Sequence, residues 1–206
     1  MTHRALFPVL IAVCLIWTPL SAAGTQKTII CFGDSITAGY GLPENESFPE
    51  DLNRLLAARH SGYRVLNQGV PGDTTTDALT RLPTILALHP QVVVVEFGGN
   101  DGLRGIDVAR TRANLTEVVR RLLAAKIHVL LVGITLPPNY GPDYVRSFQQ
   151  VFADVARSEH VARMPMIYDG IYTVPGTIQA DGIHPTAKGS QMIAEHMLPD
   201  LLPLLR

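Results

Sequence analysis

The chain has 206 residues, 47% of them hydrophobic and 17% charged, with a formal net charge of −1. That length suits one domain with a sizeable core, and the composition is globular rather than disordered or fibrous. The small charge and the lack of a basic run leave no electrostatic footprint for nucleic acid.

The first residues do not belong to the fold. Met1-Thr2-His3-Arg4 is a short basic n-region, Ala5 to Trp17 an apolar h-region, and Thr18 to Ala23 a small-residue cleavage region. They read as a secretory signal peptide over residues 1–23, cleaved after Ala23, ahead of a mature domain of residues 24–206. The protein is therefore expected in the periplasm or outside the cell. The apolar segment is short for a span, and Pro8 and Pro19 interrupt or flank it, so no integral span is expected after cleavage. Cleavage removes Cys14 and leaves Cys31 alone, so no internal disulfide is expected.

Next comes the apolar run Thr28-Ile29-Ile30-Cys31-Phe32, which stops at Gly33-Asp34-Ser35. A short apolar run ending at glycine and a small polar residue predicts a buried parallel strand entering a turn, with Ser35 at its C-terminal end. A Gly-, Pro- and Asn-rich loop spans Gly39 to Ser47. Phe48 to Arg59 has the apolar spacing of an amphipathic helix. Tyr63 to Asn67 is the second strand, Gln68 to Asp73 a loop, and Thr74 to His89 a helix in which Pro83 predicts a kink.

The third strand is Gln91 to Phe97, with four consecutive valines, and it enters Gly98-Gly99-Asn100-Asp101. Asp107 to Lys126 is helical and Ile127 to Ile134 is the fourth strand. Thr135 to Pro142 is a loop too rich in proline for regular structure. Asp143 to His160 is helical, Met164 to Tyr168 the short fifth strand, Gly170 to Gly182 irregular, and Pro185 to Leu205 the closing helix.

Strand–helix alternation predicts a parallel sheet with helices on both faces, and unbroken Val/Ile runs fit strands buried on both sides. Right-handed crossovers favour the flavodoxin-like order 2-1-3-4-5. In that order the loops after strands two, one and three are neighbours. They hold Gly72, Ser35 and Asn100, at the edge where open α/β sheets bind ligands.

A serine hydroxyl needs a base, and the base needs an orienting acid. Of seven histidines, His3 leaves with the signal peptide. His60, His89 and His160 fall at helix ends, where a solvated or capping role is usual, while His128 begins a strand and His196 lies on the last helix. His184 differs, because Asp181-Gly182-Ile183-His184-Pro185 is a non-helical loop just before a helix. Asp181 can reach one imidazole nitrogen and leave the other for Ser35, although a turn capped by Asp181 is the ordinary reading of this pattern. An oxyanion formed at Ser35 would need fixed donors. The Ser35 N–H, the Gly72 N–H and the Asn100 amide are candidates, with turn roles as the alternative for Gly72 and Asn100. Asp34, Asp73 and Asp101 read as structural: a cap or loop bond, a helix N-cap, and a tie within one loop. No α/β-hydrolase elbow, dinucleotide fingerprint, phosphate loop or His-Glu-x-x-His pair is present.

The four blocks Gly33-Asp34-Ser35, Gly72, Gly98-Gly99-Asn100-Asp101 and Asp181-Gly182-Ile183-His184-Pro185 resemble the SGNH (GDSL) hydrolase family. Glu96 to Gly105 and Leu136 to Gly141 are similar to its bacterial periplasmic acyl-CoA thioesterase, lysophospholipase and arylesterase branch. Ile36, where leucine is common, and Gln68 to Pro71 depart from the pattern. The resemblance implies a three-layer α/β/α sandwich and a triad of Ser35, His184 and Asp181. It also implies an oxyanion hole of Ser35, Gly72 and Asn100, with no metal or cofactor. The expected function is serine-dependent hydrolysis of carboxylic esters and thioesters, such as arylesters, lysophospholipids and acyl thioesters. Leu103, Ile106, Leu136, Pro137 and Pro138 are candidates for an acyl groove, with ordinary loop packing as the alternative. A monomer is expected. The alternatives are a carbohydrate O-deacetylase of the same family and a non-catalytic exported lipid- or glycan-binding module.

Overall fold

The computed structural model describes residues 26–205; the expected signal peptide, residues 1–23, lies outside them. β1, Lys27–Gly33, is buried at every residue after Lys27. It pairs in parallel with β2, Tyr63–Gly69, on one side and β3, Val92–Glu96, on the other. β4, His128–Val132, follows β3, and β5, Ala162–Met164, closes the far edge. The sheet order is β2-β1-β3-β4-β5, all parallel, as the alternation predicts.

The helices are α1 (Ser35–Ala38), α2 (Phe48–Ala58), α3 (Thr75–Ala87), α4 (Gly99–Leu103), α5 (Val108–Ala124), α6 (Pro142–Ser158) and α7 (Ala187–Leu201). α2 packs on α7, while α3, α5 and α6 pack side by side, giving a helical layer on each face. Each long helix turns a stripe to the sheet, as Leu115, Val118, Val119 and Leu122 do on α5. Phe32 and Phe97 meet edge-to-face beneath the site, with ring centroids 4.7 Å apart.

Register sets the height of the functional loops. Gly33 pairs with both Gly69 and Glu96, so three neighbouring strands end level. Glycine is required at two of these ends. A Cβ on Gly69 would strike the backbone of Thr37 and Ala38, and one on Gly33 would strike Thr37 Oγ1 and the Glu96 backbone. The turn carrying Ser35 therefore rests directly on the ends of β2 and β3.

Some boundaries differ from expectation. The fifth strand lies at Ala162–Met164 rather than Met164 to Tyr168. Pro165 has no N–H for the ladder, and the chain turns as Ile167 N–H donates to Gly133 O at 2.8 Å. The short helices α1 and α4 fall where glycine-rich sequence predicts loop. Pro138–Tyr140 forms a single 3-10 turn within the proline-rich loop. α3 runs through Pro83, which is exposed. Its N-cap is Thr74, in a reciprocal box with Asp77, and not Asp73; Asp73 pairs with Arg81 at 2.6 Å.

Candidate active site

Ser35 is the first residue of α1. Asp34 caps this turn, its Oδ1 accepting from Ile36 N–H at 3.0 Å, and Gly39 ends it in the left-handed region at φ 77°. The tight turn holds Ser35 half-buried at the sheet edge.

His184 arrives from the loop before α7. That loop folds back on itself through the bridge between Ile178 and Pro185 and the bond from Gln179 N–H to His184 O at 2.8 Å. Tyr168 ties it to the sheet side, its hydroxyl donating to Ile183 O at 2.8 Å. Gln179 Nε2 donates to Tyr40 O, also at 2.8 Å, and ties it to the loop after α1. The Tyr40 ring lies 4.8 Å from the His184 ring.

These ties bring His184 Nε2 to 2.9 Å from Ser35 Oγ and Nδ1 to 2.6 Å from Asp181 Oδ2. Burial works against the charge on Asp181. The hydrogen bonds from the His184 ring and from the Ile183 and His184 N–H groups outweigh it and hold the carboxyl at about 2. An ionised carboxylate only accepts, so Nδ1 carries the imidazole proton, leaving Nε2 as the acceptor facing the Ser35 hydroxyl. That is the tautomer a base needs.

Opposite stand three donors. Ser35 and Gly72 line the same groove, and neither N–H makes a hydrogen bond among the described residues. Gly72 sits at φ 87°, which favours glycine, with its carbonyl held by Arg104 at 2.9 Å. Asn100 lies in the first turn of α4, and its Nδ2 donates to Asp34 Oδ2 at 3.1 Å and to Asp73 O at 3.0 Å. Asp101 does more than tie its own loop. Fully buried, it accepts from Thr75 N–H at 2.9 Å, from the Thr75 hydroxyl at 2.5 Å and from the Thr111 hydroxyl at 3.3 Å, joining α3, α4 and α5.

The groove over these groups encloses about 480 Å³. Of the expected acyl-contact residues, Leu103, Leu136 and Pro137 line it, while Ile106 and Pro138 do not. Ile106 is held at the end of α4 by its N–H bond to Asp101 O at 2.9 Å, and Pro138 starts the exposed 3-10 turn. Ile36 and Pro71, from the two places where the sequence departs from the family pattern, line the groove, as do Tyr40, Ile134, Tyr168 and Tyr172, which lie outside the expected set. Tyr40 carried a usable signal, as an aromatic at the start of the loop after the serine turn. Tyr168 and Tyr172 carried none, since both come from the irregular segment after β5.

Comparison with known proteins decides the family. Residues 31–192 match the GDSL-like Lipase/Acylhydrolase family. This chain belongs to that family. Esterase TesA of Pseudomonas aeruginosa is 41% identical over 197 residues, spanning 95% of this chain and 98% of the relative. Thioesterase 1/protease 1/lysophospholipase L1 of Escherichia coli strain K12 is 36% identical over 184 residues, spanning 89% of this chain and 87% of its own. A crystal structure of TesA matches with a TM-score of 0.83 and 42% identity, covering 86% of this chain and 99% of that one. As a GDSL-family protein, the chain is an ester hydrolase.

Proposed function

We propose that this GDSL hydrolase cleaves carboxylic esters and thioesters of medium or long acyl chains through an acyl-enzyme on Ser35. The observation that carries the reading is the unbroken line from Ser35 Oγ through His184 to Asp181, at 2.9 and 2.6 Å, on the floor of an apolar groove. Ser35 Oγ attacks the acyl carbonyl as His184 Nε2 takes its proton. Asp181 holds the tautomer and stabilises the imidazolium. The negative oxygen is met by the N–H groups of Ser35 and Gly72 and by the Asn100 amide.

In the resting site both Asn100 Nδ2 protons are engaged. The bond to the Asp34 carboxylate is charge-assisted and the bond to the Asp73 carbonyl is not, so the oxyanion takes over the second. His184 then protonates the leaving alcohol or thiol as its bond to the acyl carbon breaks. Water, deprotonated by the same imidazole, attacks the acyl-enzyme, and the carboxylic acid leaves as Ser35 regains its proton.

The groove walls support the substrate class. Leu103, Ile134, Leu136 and Pro137 offer an apolar track for an acyl chain. The E. coli relative's name covers thioester and lysophospholipid hydrolysis, and an open groove of this kind suits both leaving groups, as it suits arylesters. The enzyme acts after export, as a monomer. Among the described residues no helix is long and apolar enough to cross a membrane.

A p-nitrophenyl ester series from acetyl to long acyl chains tests the assignment on purified mature protein. Activity should extend well beyond acetyl and nearly vanish in Ser35→Ala. Activity confined to acetyl esters would favour a carbohydrate deacetylase, and full turnover in Ser35→Ala would remove the nucleophile assignment.

A further inference from the structure

Beneath the serine turn lies a carboxyl that the mechanism above leaves unused. Glu96 ends β3 and is 1% exposed, as is Asp34 above it. Glu96 Oε2 accepts from the Thr37 hydroxyl at 2.7 Å, but Oε1 is buried with no hydrogen-bond partner among the described residues. Gly33 pairs with Glu96 in the sheet, so Asp34, the next residue, sits beside the Glu96 side chain, and each carboxyl acts on the proton affinity of the other. Two buried carboxylates cannot share such a contact while both are ionised; one of them must supply a proton. Asp34 is committed as an acceptor on both oxygens, to Ile36 N–H and to the Asn100 amide. Glu96 has the free oxygen.

We propose that Glu96 is a positioning residue. It is held as the neutral carboxylic acid, its Oε1–H donating to Asp34, so that the Asp34 carboxylate stays fixed against Asn100 and aims the amide at the oxyanion. The inference rests on the oxyanion role proposed for Asn100. The surroundings favour it. Burial and the neighbouring Asp34 charge drive Glu96 well above the usual carboxylate range, outweighing the Thr37 hydroxyl and the Asp34 and Thr37 N–H groups. The other titratable groups that face the pair are Cys31 below, Tyr168 from the segment after β5 and His184 across the groove. None of them is a fixed cation.

Glutamine at position 96 can reproduce both bonds, with Nε2–H to Asp34 and Oε1 accepting from Thr37, whereas methionine reproduces neither. Glu96→Met should lower kcat about tenfold with KM unchanged, because a loosened amide is missed only in the transition state. Glu96→Gln should bring kcat back to within about twofold of the parent. In an Asn100→Ala background the effect of Glu96→Met should shrink to less than about twofold, since Glu96 acts through that amide. Infrared spectra at neutral pH should show a protonated buried carboxyl band that Glu96→Gln abolishes, a readout available even if the methionine variant fails to fold. Equal losses in Gln and Met, no loss in Met, full additivity with Asn100→Ala, or an unchanged carboxyl band would each overturn the proposal. If Asn100→Ala leaves kcat intact while the band behaves as expected, the oxyanion reading fails instead.

Discussion

Asp181 and Asp34 flank the same serine, and their surroundings push them in opposite directions. Asp181 is held at about 2 by bonds that need its charge. Its contribution to stability is present above the ordinary carboxylate range and is lost as pH falls through that value. Asp34 is raised to about 6, chiefly by burial, against the bonds from Ile36 and Asn100. Here the folded state binds the proton more tightly than the unfolded chain, so stability falls as pH rises from about 4, where an unfolded aspartate ionises, toward 6. Asp34→Asn removes that penalty. In urea titrations across this window the stability of the variant, relative to wild type, should climb with pH; a flat or falling difference would refute the sign. Asn100 makes the second prediction at this scale. Asn100→Ala should reduce kcat on the order of 10²–10³-fold through one lost oxyanion donor. A loss seen only in KM would reassign the amide to ground-state binding.

Among the elements, three helices end in the same way. Beyond α2, His60 N–H bonds to Ala57 O and Ser61 N–H to Leu56 O. Lys126 and Ile127 close α5 by the same pair of bonds, and Val161 N–H reaches back to Ala156 O beyond α6. This closing motif wants a left-handed residue, for which glycine is best suited. The chain instead uses His60 at φ 50°, Lys126 at 61° and His160 at 54°. His60 is exposed, so His60→Gly should stabilise the fold by about 0.5–1 kcal/mol, visible as a higher urea midpoint and unchanged ester turnover. A lower midpoint would mean the imidazole contributes more than the strain removes.

The same local physics explains what the sequence discloses about elements. β1, β3 and β4 are legible because strands buried on both faces must be continuously apolar, as in Val92 to Val95. α5 and α6 are legible because a surface helix must carry a stripe. α1 and α4 are not: α1 is a single turn held by its Asp34 cap, and in α4 Gly99, Asn100 and Gly102 are poor helix formers held by a tertiary bond from Thr75 N–H to Asp101. The fifth strand is placed too late because Ile167 and Tyr168 are buried and apolar without belonging to the ladder, Tyr168 being bonded instead to Ile183 O in the loop before α7.

At the scale of the molecule, level strand ends do most of the work. Ser35, Gly72 and Asn100 follow three adjacent strands whose last residues pair with one another, and His184 is carried across to them on a loop latched at Tyr168 and Tyr40. The sequence names these residues because each chemical side chain or donor stands beside glycine at the end of an apolar run or in a pre-helix loop. It names part of the groove wall, Leu103, Leu136 and Pro137, but not Ile134, Tyr168 and Tyr172, which come to the groove from the end of β4 and the segment after β5. Ser35, His184 and Asp181 all line the groove, and the whole account turns on the reactivity of the Ser35 oxygen. Intact-mass analysis after exposure to a serine-reactive phosphonate tests it most directly. One equivalent of adduct located on Ser35, absent from Ser35→Ala and paralleling the loss of ester hydrolysis, is the predicted result. Full turnover with Ser35 unlabelled, or equal labelling of the alanine variant, would contradict it.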